Sequence, residues 1–301
     1  MLALAVSNHG FTTLRAIILG LLQGVSELFP ISSLGHTVLF PKLFGWNQIV
    51  AFQSRPESPW LAFIVMLHVG SAVGLLIYYW RDWVELIKAF FVSLARRRIK
   101  TPAEKLIWLI IAASIPTGIL GLAFEHTART ATAKPEVAAI FLVVNGFILA
   151  GAEWLRRRSE VRALARRERG EDEGRALTSL SYREAVGLGI AQSGGLIAGI
   201  SRDGMVMAAG LTRGLDNYDA GRISFLMATP IILAAGVFKV GDLTGPNGAG
   251  IRGAALIAAV FAALAAVLTV HFLSRYLRRG NLLPFAAYCV LFGAAMVAYN
   301  A

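Results

Sequence analysis

The sequence predicts an all-α integral membrane protein with six full transmembrane helices and two re-entrant helical hairpins, arranged as two inverted-topology repeats. Three observations lead there. Residues are 56% hydrophobic and only 16% charged, with a mean hydropathy of +0.62, more apolar surface than a soluble domain buries. Six uninterrupted apolar runs are each long enough to cross a hydrocarbon core, which takes about 20 helical residues. Two further apolar regions are interrupted at mid-length by Gly, Pro and Ser and carry polar groups at the interruption.

In chain order, the first interrupted region is Phe11–Phe44, expected as a hairpin, followed by spans at Leu61–Trp80, Leu106–Phe124 and Val137–Leu155. These make a first repeat over residues 1–155. Residues 156–181 are too polar to insert and read as a charged cytoplasmic linker or amphipathic helix beside anionic headgroups. The second repeat, residues 182–301, opens with the interrupted region Tyr182–Leu215. It continues with spans at Ile223–Val240, Ile251–Leu273 and Leu282–Asn300. Irregular backbone at membrane depth survives only where protein or a watery cavity satisfies its N–H and C=O groups, hence the expectation of re-entrant hairpins.

Charge sets the orientation. The net charge of +11 does not form a basic face with interleaved aromatics, so no nucleic-acid partner is expected. The cations instead concentrate in Arg81–Lys105, Arg156–Arg183 and Arg275–Arg279, whereas Glu125–Pro135 and Gly241–Gly250 are poor in them. Under the positive-inside rule the first three loops are cytoplasmic and both termini external. No Lys or Arg precedes Arg15, so no cleaved signal peptide is expected. The single cysteine, Cys289, lies within a span and reads as packing. The alanine-rich stretch 250–273 permits close helix contacts without defining an oligomer.

The two interrupted regions align without a gap. Gln23–His36 (QGVSELFPISSLGH) laid over Gln192–Met205 (QSGGLIAGISRDGM) matches Gln23 with Gln192, Ile31 with Ile200, Ser32 with Ser201 and Gly35 with Gly204. A three-span unit reverses direction, so its second copy sits inverted, and broken helices meeting near the midplane are where such proteins build binding sites.

The chemistry at these breaks points to phosphate. Glu27, with Gln23 one turn earlier, offers oxygens to a hard cation. Beyond Pro30, Ser32 and Ser33 offer hydroxyls and helix N-terminal amides to an anion, and His36 follows one turn after Ser33. In the second region Ser201, Arg202 and Asp203 lie between Gly199 and Gly204. A guanidinium suits a phosphate through paired hydrogen bonds, and the glycines admit backbone amides to the same oxygens. His68 and His271 are expected to pack within spans, and His9 and His126 to lie at the surface.

These residues carry a resemblance. The chain resembles the bacterial undecaprenyl-diphosphate phosphatase family, also known as bacitracin resistance proteins, through QGVSELFPISSLGH, GISRDG, IPTGILG (Ile115–Gly121) and SFLMATP (Ser224–Pro230). The resemblance implies hydrolysis of undecaprenyl diphosphate to the monophosphate carrier of cell-wall synthesis. It also implies a divalent cation, Mg2+ or Ca2+, and a site opening to the periplasmic or extracellular side of the cell membrane. Carried over by residue, Glu27 and Gln23 take the metal and diphosphate, and Arg202 clamps phosphate. Ser32, Ser201, Gly199 and Gly204 contact substrate, and Ser33 and His36 supply the nucleophile or its base, with His36 or an activated water as alternative attackers. Ala198 and Asp203 depart from the family's Pro and Ser. Asp203 is expected either at the metal or as a partner orienting Arg202. Transport of a lipid phosphate, or action on another prenyl diphosphate, are the competing readings.

Overall fold

The computed structural model describes residues 11–53, 60–132, 134–167, 176–244 and 250–300, and every regular element among them is helical. The first break separates α1 (Thr13–Leu28) from α2 (Ser33–Leu43), followed by a short α3 (Asn47–Gln53). Then come α4 (Trp60–Tyr78), α5 (Trp80–Arg96), α6 (Pro102–Thr132) and α7 (Pro135–Arg167). The second break lies between α8 (Tyr182–Gln192) and α9 (Arg202–Thr212), and α10 (Asn217–Thr244), α11 (Arg252–Tyr276) and α12 (Leu283–Asn300) complete the chain.

Five of these helices hold a segment long and apolar enough to cross a membrane: Pro102–Phe124, Pro135–Arg158, Asn217–Phe238, Arg252–Tyr276 and Leu283–Asn300. A sixth exists if α4 and α5, which meet at a bend of 84°, are one broken span. The chain is therefore a multi-pass membrane protein. The sequence predicts a loop over Arg81–Lys105, and the structure instead forms α5 there, bent from α4. Charges at Arg81, Asp82, Glu85 and Lys88 disguise a helix whose apolar residues recur at helical spacing. The linker expected over 156–181 is likewise helical at its start, because α7 runs on to Arg167; residues 168–175 lie outside the described residues, as do His9 and the His126 side chain.

Packing depends on small residues. Both α1 and α4 pack on α11. A Cβ at Gly20 or Gly24 of α1 would collide with the carbonyl oxygens of Ala258 and Ala262, and one at Gly70 or Gly74 of α4 with those of Ala259 and Ala263. In lipid, where the hydrophobic effect between helices is absent, such backbone approach supplies the association through van der Waals contact. Gly146 on α7 and Gly293 on α12 make a similar seam, and Gly189 on α8 sits against the Ala113 carbonyl of α6. The core these seams enclose holds Leu28, Leu142, Leu149, Phe225 and Cys289. Cys289 is fully buried, as packing requires.

Gly20→Ala should lower thermal stability in detergent by about 1–3 kcal/mol, because the collision is with backbone. Gly253→Ala, where a Cβ meets open space, should be neutral or stabilise by up to about 1 kcal/mol.

Candidate active site at the two helix breaks

α1 ends because Pro30 cannot donate an amide and biases Phe29 to extended backbone, observed at ψ 138°. Ser32 then takes a left-handed φ of 69°, which costs a non-glycine residue energy and must be held by its surroundings. Its hydroxyl oxygen accepts the Gly35 amide at 3.2 Å, capping α2, and the Gly199 amide at 3.1 Å, joining the two breaks. Ser201, its aligned counterpart, caps α9 by accepting the Gly204 amide at 3.0 Å. Gly199 has φ +100°, and a Cβ there would strike the Ala138 carbonyl, so glycine is required on both counts.

Asn145 on α7 locks the breaks together. Its side-chain amide donates to the Pro30 carbonyl at 2.9 Å and its carbonyl oxygen accepts the Ser201 amide at 2.9 Å. It is fully buried. Backbone freed by the broken helices is thereby satisfied without water.

On this frame the first break aims Glu27 into the second. One Glu27 oxygen accepts from Arg202 Nη2 at 2.7 Å. The other accepts from Gln23 at 2.9 Å and from the Ser33 hydroxyl, and lies 3.2 Å from His68 Nε2. Gln23 and Glu27 meet because residues four apart share a helix face. His68, from α4, also lies 3.5 Å from the Ser33 hydroxyl, while its Nδ1–H donates to the Ile64 carbonyl at 2.8 Å. Arg202 Nη2 is also 3.2 Å from a fully buried Asp203 oxygen. Among the described residues, Nη1 of Arg202 and the Gln23 side-chain oxygen are buried without a hydrogen-bond partner, and the Asp203 carboxylate oxygens have none beyond that ion pair.

A cavity of about 300 Å³ opens from this cluster. Glu27, Ser33, His68 and Arg202 form its polar end; Ile64, Gly118, Leu122, Ile231 and Phe238 form its apolar remainder. Leu122 and Phe238 are among the most exposed apolar side chains of the protein, so the cavity reaches the lipid-facing surface between α6 and α10. One charged end and one greasy end suit an amphiphile with an anionic head.

Several expectations are corrected by this geometry. His36 is not beside Ser33. Its Nδ1 bonds the Ser32 carbonyl at 2.7 Å, its Nε2 is 2.8 Å from the Tyr288 hydroxyl, and its ring stacks on Tyr288 and Phe292. Helix direction carries it toward α12 and away from the cavity. His68, expected only to pack, stands where His36 was expected. The Gly199 and Gly204 amides, expected to cradle substrate, are consumed by Ser32 and Ser201. Those two hydroxyl oxygens are in turn committed to capping, although Ser201 still borders the cavity. Asp203 lies beside Arg202. His271 lies edge-on to Tyr78 with ring centroids 6.1 Å apart, away from the cluster, as a packing residue should.

The comparisons with known proteins agree with the motifs. The model of the bacitracin resistance protein BacA family matches residues 16–295. The chain belongs to this family. It is 47% identical to undecaprenyl-diphosphatase 2 of Frankia alni and 47% identical to the undecaprenyl-diphosphatase of Mycolicibacterium paratuberculosis, in each case covering 95% of this chain and 97% of that protein. The undecaprenyl-diphosphatase of Acidiphilium cryptum is 40% identical over 94% of this chain and 96% of its own length.

Asn145→Ala should cost on the order of 2–4 kcal/mol, since it strands a buried carbonyl and a buried amide together. Thermal unfolding of detergent-purified protein measures this, and a loss below about 1 kcal/mol would contradict the clamp.

Proposed function

We infer that this chain hydrolyses undecaprenyl diphosphate to undecaprenyl phosphate and inorganic phosphate, recycling the lipid carrier of cell-wall synthesis and so conferring bacitracin resistance. One observation supports this above the others. Ser33 donates its hydroxyl to a buried carboxylate held by Arg202, at the head of an apolar cavity that opens toward lipid.

In this reading the diphosphate head displaces part of the Glu27–Arg202 pairing, and the unpartnered Nη1 of Arg202 takes phosphate oxygens. Ser33 Oγ attacks the terminal phosphorus, its proton passing to Glu27. An Oγ–P bond forms as the bridging P–O bond breaks, releasing undecaprenyl phosphate. Glu27 passes that proton to the departing undecaprenyl phosphate, and then takes one from the water that attacks the phosphoserine; this proton goes to the serine oxygen as the Oγ–P bond breaks and inorganic phosphate leaves. His68 orders Glu27 and lies within reach of the Ser33 oxygen. Arg202 stabilises charge on the transferred group, the larger share of catalysis in phosphoryl transfer.

A divalent cation, Mg2+ or Ca2+, belongs to this proposal. Among the described residues no group of three or more His, Cys, Asp or Glu is placed to hold a metal ion. Glu27 and the buried side-chain oxygen of Gln23 would hold such a cation as it arrives with the diphosphate. The chemistry it would supply there is neutralisation of charge developing on the phosphates. Asp203, already beside Arg202, serves as its orienting partner.

The finer architecture is also proposed. The α1–α2 and α8–α9 pairs are re-entrant hairpins of two inverted repeats, with six full spans. Support comes from equivalence of position: Ser32 and Ser201 both cap, Gln23 and Gln192 both bury an oxygen with no hydrogen-bond partner among the described residues, and α1 packs on α11 as α8 packs on α6. The basic loops would be cytoplasmic, the termini external, and the site open to the outer face. This exchange of hairpins between halves also favours a second reading, in which the protein moves a lipid phosphate across the bilayer.

Phosphate release from undecaprenyl diphosphate by purified protein tests the first reading. Ser33→Ala, Glu27→Gln and Arg202→Ala should each reduce it by about 10³ or more. His36→Phe should lose stability and keep the rate within about tenfold of wild type, whereas His68→Gln should lower it by about 10². An inactive wild type that exchanges lipid phosphate between vesicle leaflets would establish transport instead, and release from shorter prenyl diphosphates alone would redirect the substrate.

Chelation with EDTA should reduce release by about 10² or more, with recovery on adding Mg2+ or Ca2+. Full activity in EDTA would remove the cation from the proposal.

A further inference from the structure

Helix α5 leaves α4 at 84°, at the face of the protein where α4 and α11 end and α6 and α10 begin. Tyr79 joins Ser274 at 3.2 Å between the ends of α4 and α11, and Asp82 pairs with Arg222 at 2.6 Å between the starts of α5 and α10. A helix perpendicular to a spanning neighbour, pinned at the level where spans terminate, runs in the membrane plane.

Its surface has three sectors. Leu86, Ala89 and Ser93 are buried toward α6, with Phe90 against Trp108 at a ring separation of 5.4 Å and Trp108 Nε1 donating to Ser93 at 2.9 Å. A second sector is an unbroken apolar stripe, Trp80, Val84, Ile87, Phe91 and Leu94, spaced four, three, four and three residues apart. Every member is exposed, with Phe91 at 62% and Trp80 at 55%. The third carries Arg81, Glu85 and Lys88, all exposed, and the helix closes on Arg96, Arg97 and Arg98. Arg81 lies over the Trp80 ring at 5.3 Å, an indole and a cation stacked as they are at a headgroup boundary.

We propose that α5 is an interfacial anchor: its Trp80–Leu94 stripe is sunk in the acyl boundary of one leaflet and its cations bind anionic phospholipid headgroups. The occupant is a lipid surface and not a protein. The stripe follows the exposed apolar Val73 and Ile77 of α4, and the charge beside it is predominantly positive, with Asp82 already neutralised by Arg222. Amphipathic helices of this kind bind through buried apolar area together with attraction to anionic lipid. The assignment is independent of the catalytic reading, since no α5 residue belongs to the site.

The test uses intact protein in vesicles. Ile87→Cys, Phe91→Cys and Glu85→Cys, each in Cys289→Ala, are labelled with an environment-sensitive fluorophore. Positions 87 and 91 should be quenched by brominated acyl chains and be at least about threefold less accessible to iodide than position 85. At equal content, brominated phosphatidylglycerol should quench position 87 about threefold more than brominated phosphatidylcholine. Arg81→Gln, Lys88→Gln, Arg97→Gln and Arg98→Gln together should abolish that preference. Phosphate release should remain at the wild-type level in all of them, reporting an intact fold. In the unaltered protein, a photoactivatable phosphatidylglycerol should attach to peptides spanning 80–100. Iodide reaching 87 and 91 as readily as 85 would overturn the anchor, because water or a protein would then cover the stripe. Equal quenching by the two lipids, or no adduct on 80–100, would overturn the anionic-headgroup assignment.

Discussion

The buried carboxylate of Glu27 is the constraint around which the rest is arranged. A carboxylate at this depth is tolerated only when its charge is balanced and its lone pairs are filled. Four separate pieces of chain meet the requirement: Gln23 from the same helix, Ser33 from the next, His68 from α4 and Arg202 from the opposite half. The pairing of Glu27 with Arg202 therefore does two jobs. It holds the two breaks in register, and it keeps the Arg202 guanidinium close to the Ser33 hydroxyl through a shared carboxylate. Removing one partner of such a pair strands the other, so the stability of the two breaks rests on both residues.

The breaks that deliver these groups are themselves expensive in lipid. Their exposed backbone is satisfied internally, by the paired Ser32 and Ser201 caps and by Asn145, which reaches one carbonyl in the first break and one amide in the second. Glycine permits the crowding: Gly35 and Gly199 sit backbone to backbone, and Gly20, Gly24, Gly70 and Gly74 let α1 and α4 press on the alanines of α11. A site assembled from helix ends needs this close seating, since there is no solvent to fill a gap.

Much of this was legible in the sequence. Apolar length and the Gly/Pro/Ser interruptions announce helices and breaks because lipid leaves few other solutions for backbone polar groups. Gln23, Glu27, Ser33 and Arg202 stood out as polar residues in apolar surroundings, and all four converge. The misreadings share one cause. His36 lies three residues after Ser33, so its proximity in sequence implied proximity in space, yet its side chain turns toward Tyr288 and Phe292. His68 and Asn145 gave no local signal beyond being single polar residues inside apolar spans. The available clue was the cost of placing them there, which argues for a partner without naming it.

The sequence by itself determined that the chain lives in a membrane, where its helices break, and which charged groups had to be paired, because each of these follows from local composition against a fixed solvent. Only the tertiary structure decided who pairs with whom. It put His68, and not His36, beside Ser33 and Glu27, spent the Gly199 and Gly204 amides on caps, and turned the charged segment after Tyr79 into a helix at 84° to α4. Those choices depend on side-chain direction and on contacts between residues far apart in the chain, such as Glu27 with Arg202, which no local pattern encodes.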